Sequence, residues 1–484
     1  MLAAMPETGV GRGREEVLRG VLLRGNALWW IALAAGLLLR LWFLQHPMPA
    51  DDDTDVYAEL ARNLFHHGIY GFDTDGVIVP SLIRLPGYPL FLGLIFSVFG
   101  ADNFNAVLLA QIGMDLLGCW LIARFVRENI AERFSGRAGT VAIFLAALCP
   151  FTAAYSAMAL TECLSVFAVS LGLWATGRLL RSEFKDRGAM LLASLAMAMA
   201  MLLRPDGALL AVAMTLAILW YGLRQGRPLQ GMKTALLCGA LAVLPLIPWA
   251  LRNWRTFHVV QPLAPRRVND PGEYVTYGFY RWMSTWSVDI VSTGNVFWQV
   301  GTAPINVNDL PSRAFDSAAQ RAQTAELLAE YERASNTIPL QLDTKFGALA
   351  DERVREHPWL CRVWVPALRV ADMFLRPRTE TLGLDADWWR FDKHRVESAE
   401  AVGLGLVNLA LMIAAGVGVV RRQVPWVALA VIYIALRCTL LGTMENSEPR
   451  YSLEAMPMVL ACVACALNRK GASEETPFPD SPGE

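Results

Sequence analysis

Four carboxylates fall within five positions near the start of the chain, in Ala50-Asp51-Asp52-Asp53-Thr54-Asp55-Val56-Tyr57. Mutual repulsion raises the pKa of some of them unless a cation or hydrogen-bond donors offset it. Such a cluster suits a general base, a cation site or both. A plainer reading is a solvated acidic loop, with Asp53 or Asp55 capping the helical run YAELARNLFHHGIYG that follows. His66 and His67 close that run. Adjacent histidines point to different helix faces, which favours surface placement over a shared metal. A further carboxylate, Glu162, lies between two apolar runs with no basic neighbour in sequence. At that depth an unpartnered carboxylate costs several kcal/mol, so a cavity role is the default, with an N-cap role beside Thr161 as the alternative.

These groups are carried by long apolar runs. The chain has 484 residues, 54% hydrophobic and 18% charged, where soluble domains carry about a quarter charged. Mean hydropathy is +0.35. Stretches of roughly 18–22 apolar residues are long enough to span hydrocarbon as helices, and they lack the period-two alternation of barrel strands. Spans are expected at 27–44, 103–123, 138–157, 161–179, 187–203, 206–222, 234–251, 400–420, 424–442 and 451–467. The sequence therefore predicts an all-α polytopic membrane protein of about ten transmembrane helices, with outer juxtamembrane helices and a long, mainly helical outer segment. The first span follows Arg12, Arg14, Arg19 and Arg24 and reads as an uncleaved signal anchor.

Alternating the spans from a cytoplasmic N-terminus puts most short-loop arginines and lysines inside. The inner set is Arg124, Arg127, Arg133 and Arg137; Arg178, Arg181, Lys185 and Arg187; Arg224, Arg227 and Lys233; and Arg421, Arg422, Arg469 and Lys470. Short outer segments keep only Arg62, Arg84, Arg204 and Arg450. Residues 86–100 are short for a span and begin with two prolines, so they are placed as a helix in or dipping into the outer interface. The expected organisation is a cytoplasmic segment 1–26, a membrane domain 27–251 with an acidic outer loop at 45–102, a large outer segment 252–398, C-terminal spans within 399–467, and a disordered cytoplasmic tail 468–484. Helices are expected in the outer segment at 313–335 and 340–356, and an interfacial helix at 358–375. A formal charge of -1 with no basic block argues against nucleic acid. The eight cysteines form no disulfide framework, and Cys462 and Cys465 read as packing inside a span. Asp115 and Arg437 lie inside spans and must face protein or water.

Several short motifs fall in order on the expected outer side. They are the acidic cluster followed by Asp53, Tyr57, Ala61, Arg62, Asn63 and Leu64; Arg84-Leu85-Pro86-Gly87-Tyr88-Pro89-Leu90; Leu160-Thr161-Glu162; Arg204-Pro205-Asp206; Pro248-Trp249-Ala250-Leu251-Arg252-Asn253; and Glu448-Pro449-Arg450-Tyr451, followed by Pro457. In this order they resemble the GT-C class of integral membrane glycosyltransferases, above all bacterial aminoarabinose transferases and protein O-mannosyltransferases. The resemblance covers most of 27–460 and leaves the large outer segment poorly matched.

It implies a hexosyl- or pentosyltransferase that moves a sugar from a polyprenyl-phosphate donor to a hydroxyl of a lipid, glycan or protein at the outer face. Asp53 is then the candidate base, with Asp52 and Asp55 as alternatives because the motif is crowded with aspartates, and Glu162 is the second acidic group. Arg84, Arg204, Arg252 and Arg450, with Tyr57, Tyr88 and Tyr451, become candidate substrate-binding residues. Planar guanidinium groups suit a departing lipid phosphate, whereas span-end arginines otherwise simply snorkel. Relatives differ over a divalent cation near the first acidic motif, and the sequence leaves that open. The alternatives are a transporter or flippase of a lipid-linked sugar, and a polysaccharide polymerase or ligase.

Overall fold

A backbone that crosses hydrocarbon has to satisfy its N–H and C=O groups within itself, and the apolar runs do so as helices. The structure is a computed structural model that describes residues 10–46, 52–130, 132–381, 384, 388–421 and 423–468. Asp51, Arg422, Arg469, Lys470 and the polar tail from Gly471 lie outside the described residues, as do the side chains of Arg12, Arg14, Arg19, Arg24, Asp52 and Arg133.

Helix α1 (Val10–Gln45) is apolar from Ala27 onward and supplies the first expected span. It leads to amphipathic α2 (Asp52–His67), then to an antiparallel hairpin of β1 (Gly71–Thr74) and β2 (Val77–Pro80). The hairpin turns on Asp75-Gly76, both at positive φ, the mirror-image turn whose twist matches that of the strands. Next comes α3 (Gly87–Phe99). Its 13 residues make it about 20 Å long at ~1.5 Å per residue, short of the ~30 Å hydrocarbon thickness, in keeping with the exclusion of 86–100 from the spans.

The bundle continues through α4 (Phe104–Asn129), α5 (Glu132–Ala147), α6 (Pro150–Ser156), α7 (Thr161–Arg181) and α8 (Arg187–Leu203). A 3-10 turn at Pro205–Gly207 opens α9 (Ala208–Arg224), followed by α10 (Pro228–Val243) and α11 (Leu246–Phe257). Two spans are broken, by 52° between α5 and α6 and by 46° between α10 and α11. The breaks fall at Pro150 and Pro245, where proline removes a backbone donor.

The long segment 252–398 contains α12 (Tyr277–Ser284), the single turn α13 (Ile290–Ser292), α14 (Ala318–Arg333), α15 (Leu340–Glu356) and α16 (Val365–Leu375). It has its own apolar core around Phe279, Trp282, Trp286, Tyr331 and Phe346. Helix α15 coincides with the expected 340–356, and α14 lies within 313–335. Trp359, Trp364 and Leu368 are exposed along the approach to α16 and on it, the stripe expected of an interfacial helix. The chain then forms α17 (Arg395–Val420), α18 (Val427–Gly442), a 3-10 segment Pro449–Ala455 and α19 (Met456–Ala466).

Among the described residues, five helices are long and apolar enough to cross a membrane, or seven with each bent pair taken as one span. The shorter apolar helices α8 and α18, and α19, fall on the remaining expected spans. At one end of the bundle, four guanidinium groups lie over indole rings: Arg124 on Trp120, Arg127 on Trp29, Arg178 on Trp174 and Arg224 on Trp220, at 4.9–5.6 Å. This is the arrangement by which arginine and tryptophan settle at a membrane boundary. The acidic motif is at the other end.

Asp115 has a structural partner in Arg40 of α1, whose Nε donates to its Oδ2 at 2.7 Å while Nη1 donates to Ala147 O. Removing one member of a buried pair strands the other charge, whereas removing both is often nearly neutral. Asp115→Leu is therefore expected to cost about 3–5 kcal/mol in detergent unfolding, and Arg40→Met combined with it should recover most of that loss. Equal losses in the single and double variants would refute the pairing as the source.

Candidate active site

The first turn of α2 is tied to the bundle before any chemistry is considered. Thr54 donates to Ala159 O at 3.2 Å, and Tyr57, one turn on, is buried edge-on against Tyr88 at 5.1 Å between ring centres. Tyr88 is fully buried, and its hydroxyl donates to Gln111 Oε1 at 2.7 Å; the Gln111 amide donates in turn to Met158 O at 2.6 Å. That relay holds the turn ahead of α7, and so holds Glu162. Gly87 and Gly207 set the other walls. A Cβ at Gly87 would meet Leu202 O at 2.6 Å, and one at Gly207 would meet Ala200 O at 2.0 Å, so both loops lie directly on the end of α8.

These constraints bring Asp53 between two arginines. Arg84 Nη2 donates to its Oδ1 at 2.6 Å, and Arg450 Nη2 to its Oδ2 at 3.3 Å. The Arg84 guanidinium also lies 5.7 Å from the Tyr57 ring centre. Burial pushes the Asp53 carboxyl up, but Arg84 and Arg450 outweigh it and hold the group below the ordinary carboxylate value. Burial also raises the Tyr57 hydroxyl to about 12, so it stays protonated at neutral pH.

From Arg450 the ion pairs continue inward. Its Nε lies 2.5 Å from Glu448 Oε2 and 4.0 Å from Glu162 Oε1. Glu162 accepts from Arg204 Nη1 at 2.9 Å and from the Thr161 hydroxyl at 3.3 Å. Arg204 Nε reaches Asp206 Oδ1 at 3.1 Å and Glu454 Oε1 at 3.3 Å. Arg437 closes the lattice, pairing with Glu454 and reaching Asp206 Oδ2 at 3.1 Å. Tyr451 is shared: its hydroxyl donates to Glu448 at 2.7 Å, its ring carries Arg204 and Arg450 at 5.5 and 5.6 Å, and its carbonyl accepts from Arg437.

The structure thus brings together Asp53, Glu162, Arg84, Arg204, Arg450, Tyr57 and Tyr451. Tyr88 sits behind them as a support. Asp55 is exposed; two residues beyond Asp53, it projects roughly 200° round the helix, away from the lattice. Arg252 is also elsewhere. It donates to Ser81 O at 2.8 Å and to Tyr70 O, and it lies over Tyr70, Trp249 and Phe257, clamping the hairpin rather than facing Asp53. His66 and His67 are exposed at the end of α2. Asp206, Glu448, Glu454 and Arg437 join the same lattice; Asp206 and Glu448 stand in the sequence motifs without an expected role, Arg437 was expected near the outer end of its span, and Glu454 was not singled out. Their signal was readable: Arg437 and Glu454 are opposite charges in neighbouring apolar runs, which only mutual pairing makes tolerable.

The donor set does not suit a divalent cation as arranged. Both Asp53 oxygens face guanidinium groups, and Glu162 is held by Arg204 and Thr161. The described residues that bring three ligating groups within 4.8 Å are Asp316, Glu356 and His357, in the segment 252–398, where Asp316 already meets Arg353 at 3.3 Å.

Residues 80–251 match the family model described as dolichyl-phosphate-mannose-protein mannosyltransferase. The resemblance to the GT-C class stands. That match begins just before Arg84 and ends just before Arg252, so it includes Glu162, Arg204 and Asp206 and leaves Asp53 and Arg450 outside. No curated protein matches the chain. Among solved structures, the archaeal oligosaccharyltransferase AglB from Archaeoglobus fulgidus, in complex with an inhibitory peptide and a dolichol-phosphate, is 14% identical over 91% of this chain and 50% of its own, with a TM-score of 0.47. ArnT from Cupriavidus metallidurans, bound to undecaprenyl phosphate, is 16% identical over 90% of this chain and 76% of its own, with a TM-score of 0.38. The chain spans about half the length of AglB.

Because Asp53 is depressed, its contribution to stability is complete above the ordinary carboxylate value of about 3.9 and is lost as pH falls through its lowered value. The difference in thermal midpoint between the native protein and Asp53→Asn is therefore expected to be constant from neutral pH to about 5 and to shrink below about 4. A difference that already shrinks between pH 7 and 5 would contradict the pairing.

Proposed function

We propose that this chain transfers a sugar from a polyprenyl-phosphate donor to an acceptor hydroxyl at the outer face of the membrane. The observation that carries the reading is Asp53 held between Arg84 and Arg450: one proton acceptor flanked by two phosphate-binding groups. The acceptor oxygen gives its proton to the Asp53 carboxylate and bonds to the anomeric carbon. The bond from that carbon to the phosphate oxygen breaks, and its electron pair leaves with the lipid phosphate. Arg84 and Arg450 stabilise the charge that develops there. Glu162, set back behind Arg450 and Arg204, orients both guanidinium groups. The family match over 80–251, and the dolichol-phosphate and undecaprenyl phosphate named for the two solved structures, support the donor class.

In the same reading, the arginine-and-tryptophan end of the bundle is cytoplasmic and the site is exoplasmic. Transporters place their sites near mid-membrane at helix breaks. The present cluster gathers at one end of the bundle, which favours transfer over transport.

Purified protein incubated with radiolabelled polyprenyl-phosphate sugars and candidate glycolipid, glycan and Ser/Thr-containing protein acceptors is expected to transfer label. Asp53→Asn should lower the rate by about 10²–10⁴-fold while leaving the protein inserted; undiminished turnover would remove Asp53 from the base role. Reporters fused after residues 75 and 320 should report the outer side, and those after 130 and 230 the inner side. An inner signal at 320 would overturn the orientation.

A further inference from the structure

Asp53 occupies the two guanidinium groups that the proposed reaction needs for its donor. Its oxygens take Arg84 at 2.6 Å and Arg450 at 3.3 Å, straddling them as two oxygens of a phosphate would. Arg84 Nε is buried and donates to no acceptor among the described residues, so that guanidinium still has a donor to offer. Behind them the alternation of charge is complete: Arg450 leans on Glu448 and Glu162, and Arg204 on Glu162, Asp206 and Glu454. A phosphate entering beside Arg84 and Arg450 cannot simply add a negative charge to this row. It has to replace one, and Asp53, a quarter exposed, is the replaceable carboxylate, while Glu162 is all but fully buried.

Resting on the transferase reading, we infer that Asp53 is a latch as well as a base: it competes with the carrier's phosphate for Arg84 and Arg450, and by reclaiming them it expels the spent carrier. The charges make such a device necessary. The donor is a phosphodiester of charge -1. Once the carbon–oxygen bond has broken, the carrier is a monoester of about -1.5 to -2 at neutral pH, which the same arginines hold harder than they held the donor. During transfer, Asp53 takes the acceptor's proton and becomes neutral, so for that interval the phosphate has both arginines without competition. Loss of the proton to water restores the carboxylate, which returns to Arg84 and Arg450 as the monoester departs. Atoms and charge balance over the cycle: one proton passes from acceptor to Asp53 to solvent, and the lipid phosphate leaves with the electron pair of the broken bond.

The inference inverts the usual expectation for a binding-site substitution, since deleting a site residue should tighten binding. Undecaprenyl phosphate is titrated into the full chain in nanodiscs, with undecaprenol as the phosphate-free control. Asp53→Asn is expected to bind undecaprenyl phosphate about tenfold more tightly than the native protein, with Asp53→Ser changing in the same direction. Arg84→Gln and Arg450→Gln should each weaken it about tenfold, and undecaprenol should bind all forms alike. Weaker binding by the arginine variants with unchanged or weaker binding by both Asp53 variants would overturn the latch and leave the phosphate-holding role intact. Unchanged binding in the arginine variants would overturn the transferase reading itself. Tighter binding of undecaprenol as well would show that Asp53 acts on the lipid chain, and would also overturn the latch.

Discussion

A guanidinium group withdrawn from water has to be given back an anion or a set of carbonyl oxygens, and that requirement organises one end of this molecule. Arg84, Arg204, Arg437 and Arg450 come from the loop before α3, the end of α8, the middle of α18 and the 3-10 segment before α19. They share Asp53, Glu162, Asp206, Glu448 and Glu454, which come from equally distant places in the chain. Isolated buried ion pairs contribute little net stability, because desolvation cancels most of the attraction. A lattice in which seven of the nine charges face two or three of opposite sign meets the cost collectively, and it specifies which helix ends must meet. The helices can be packed in several ways by hydrophobic contact alone; far fewer packings leave all nine of these charges paired.

A second group of buried arginines bonds to carbonyl oxygens. Arg369 of α16 donates to Gly442 O at 2.8 Å as well as to Ser284 and Ser287 carbonyls. Arg378 donates to Pro449 O at 2.7 Å and to the Ser452 hydroxyl. Arg266 reaches Thr443 O at 2.6 Å, Arg267 pairs with Glu445, and the Thr293 hydroxyl accepts from Ser447 N at 2.9 Å. All of these come from the long segment 252–398, and all grip the end of α18 or the stretch between α18 and α19. Apart from the 3-10 segment Pro449–Ala455, that stretch has no regular secondary structure with which to satisfy its own backbone. Segment 252–398 supplies the missing donors, and so fixes Arg450 and Glu448 against the rest of the lattice.

Much of this was legible in the sequence, for physical reasons that can be named. The helices of the bundle follow from apolar length alone; the bends at Pro150 and Pro245 fall inside runs read as single spans and were not expected. In the segment 252–398, α15 has the expected limits because a 3.6-residue apolar period leaves little freedom at 340–356. The hairpin at 71–80 was not expected, although Asp75-Gly76 between alternating residues is a known turn signal. The general form of the site was legible too, because ionisable residues at span ends are costly and invite a functional reading. Which partner each would choose was not. Asp55 is as acidic as Asp53 in sequence, yet two residues of helix turn it outward. Arg252 and Arg450 look alike as span-end arginines, and tertiary packing gives one to hairpin carbonyls and the other to Asp53. Spacing within a segment fixes the face of a helix; it does not say what a loop some hundreds of residues away will place against that face.

Exposure divides the lattice into a fixed and an exchangeable part. Arg437 and Glu454 are 1% and 3% exposed, and Glu162 is 2%. Separating any of these from its partners leaves a charge with neither water nor counter-ion, at a cost of several kcal/mol. Asp53 and Arg84 are 24% and 20% exposed, so water or an incoming anion can take over a lost contact there at much lower cost. The buried pairs can therefore hold geometry while the outer pair changes partner. A binding site for an anion made of arginines alone would repel itself when empty and would not stay assembled. One that carries its own displaceable carboxylate is assembled when empty, and the group that holds it together is the one nearest the entering ligand.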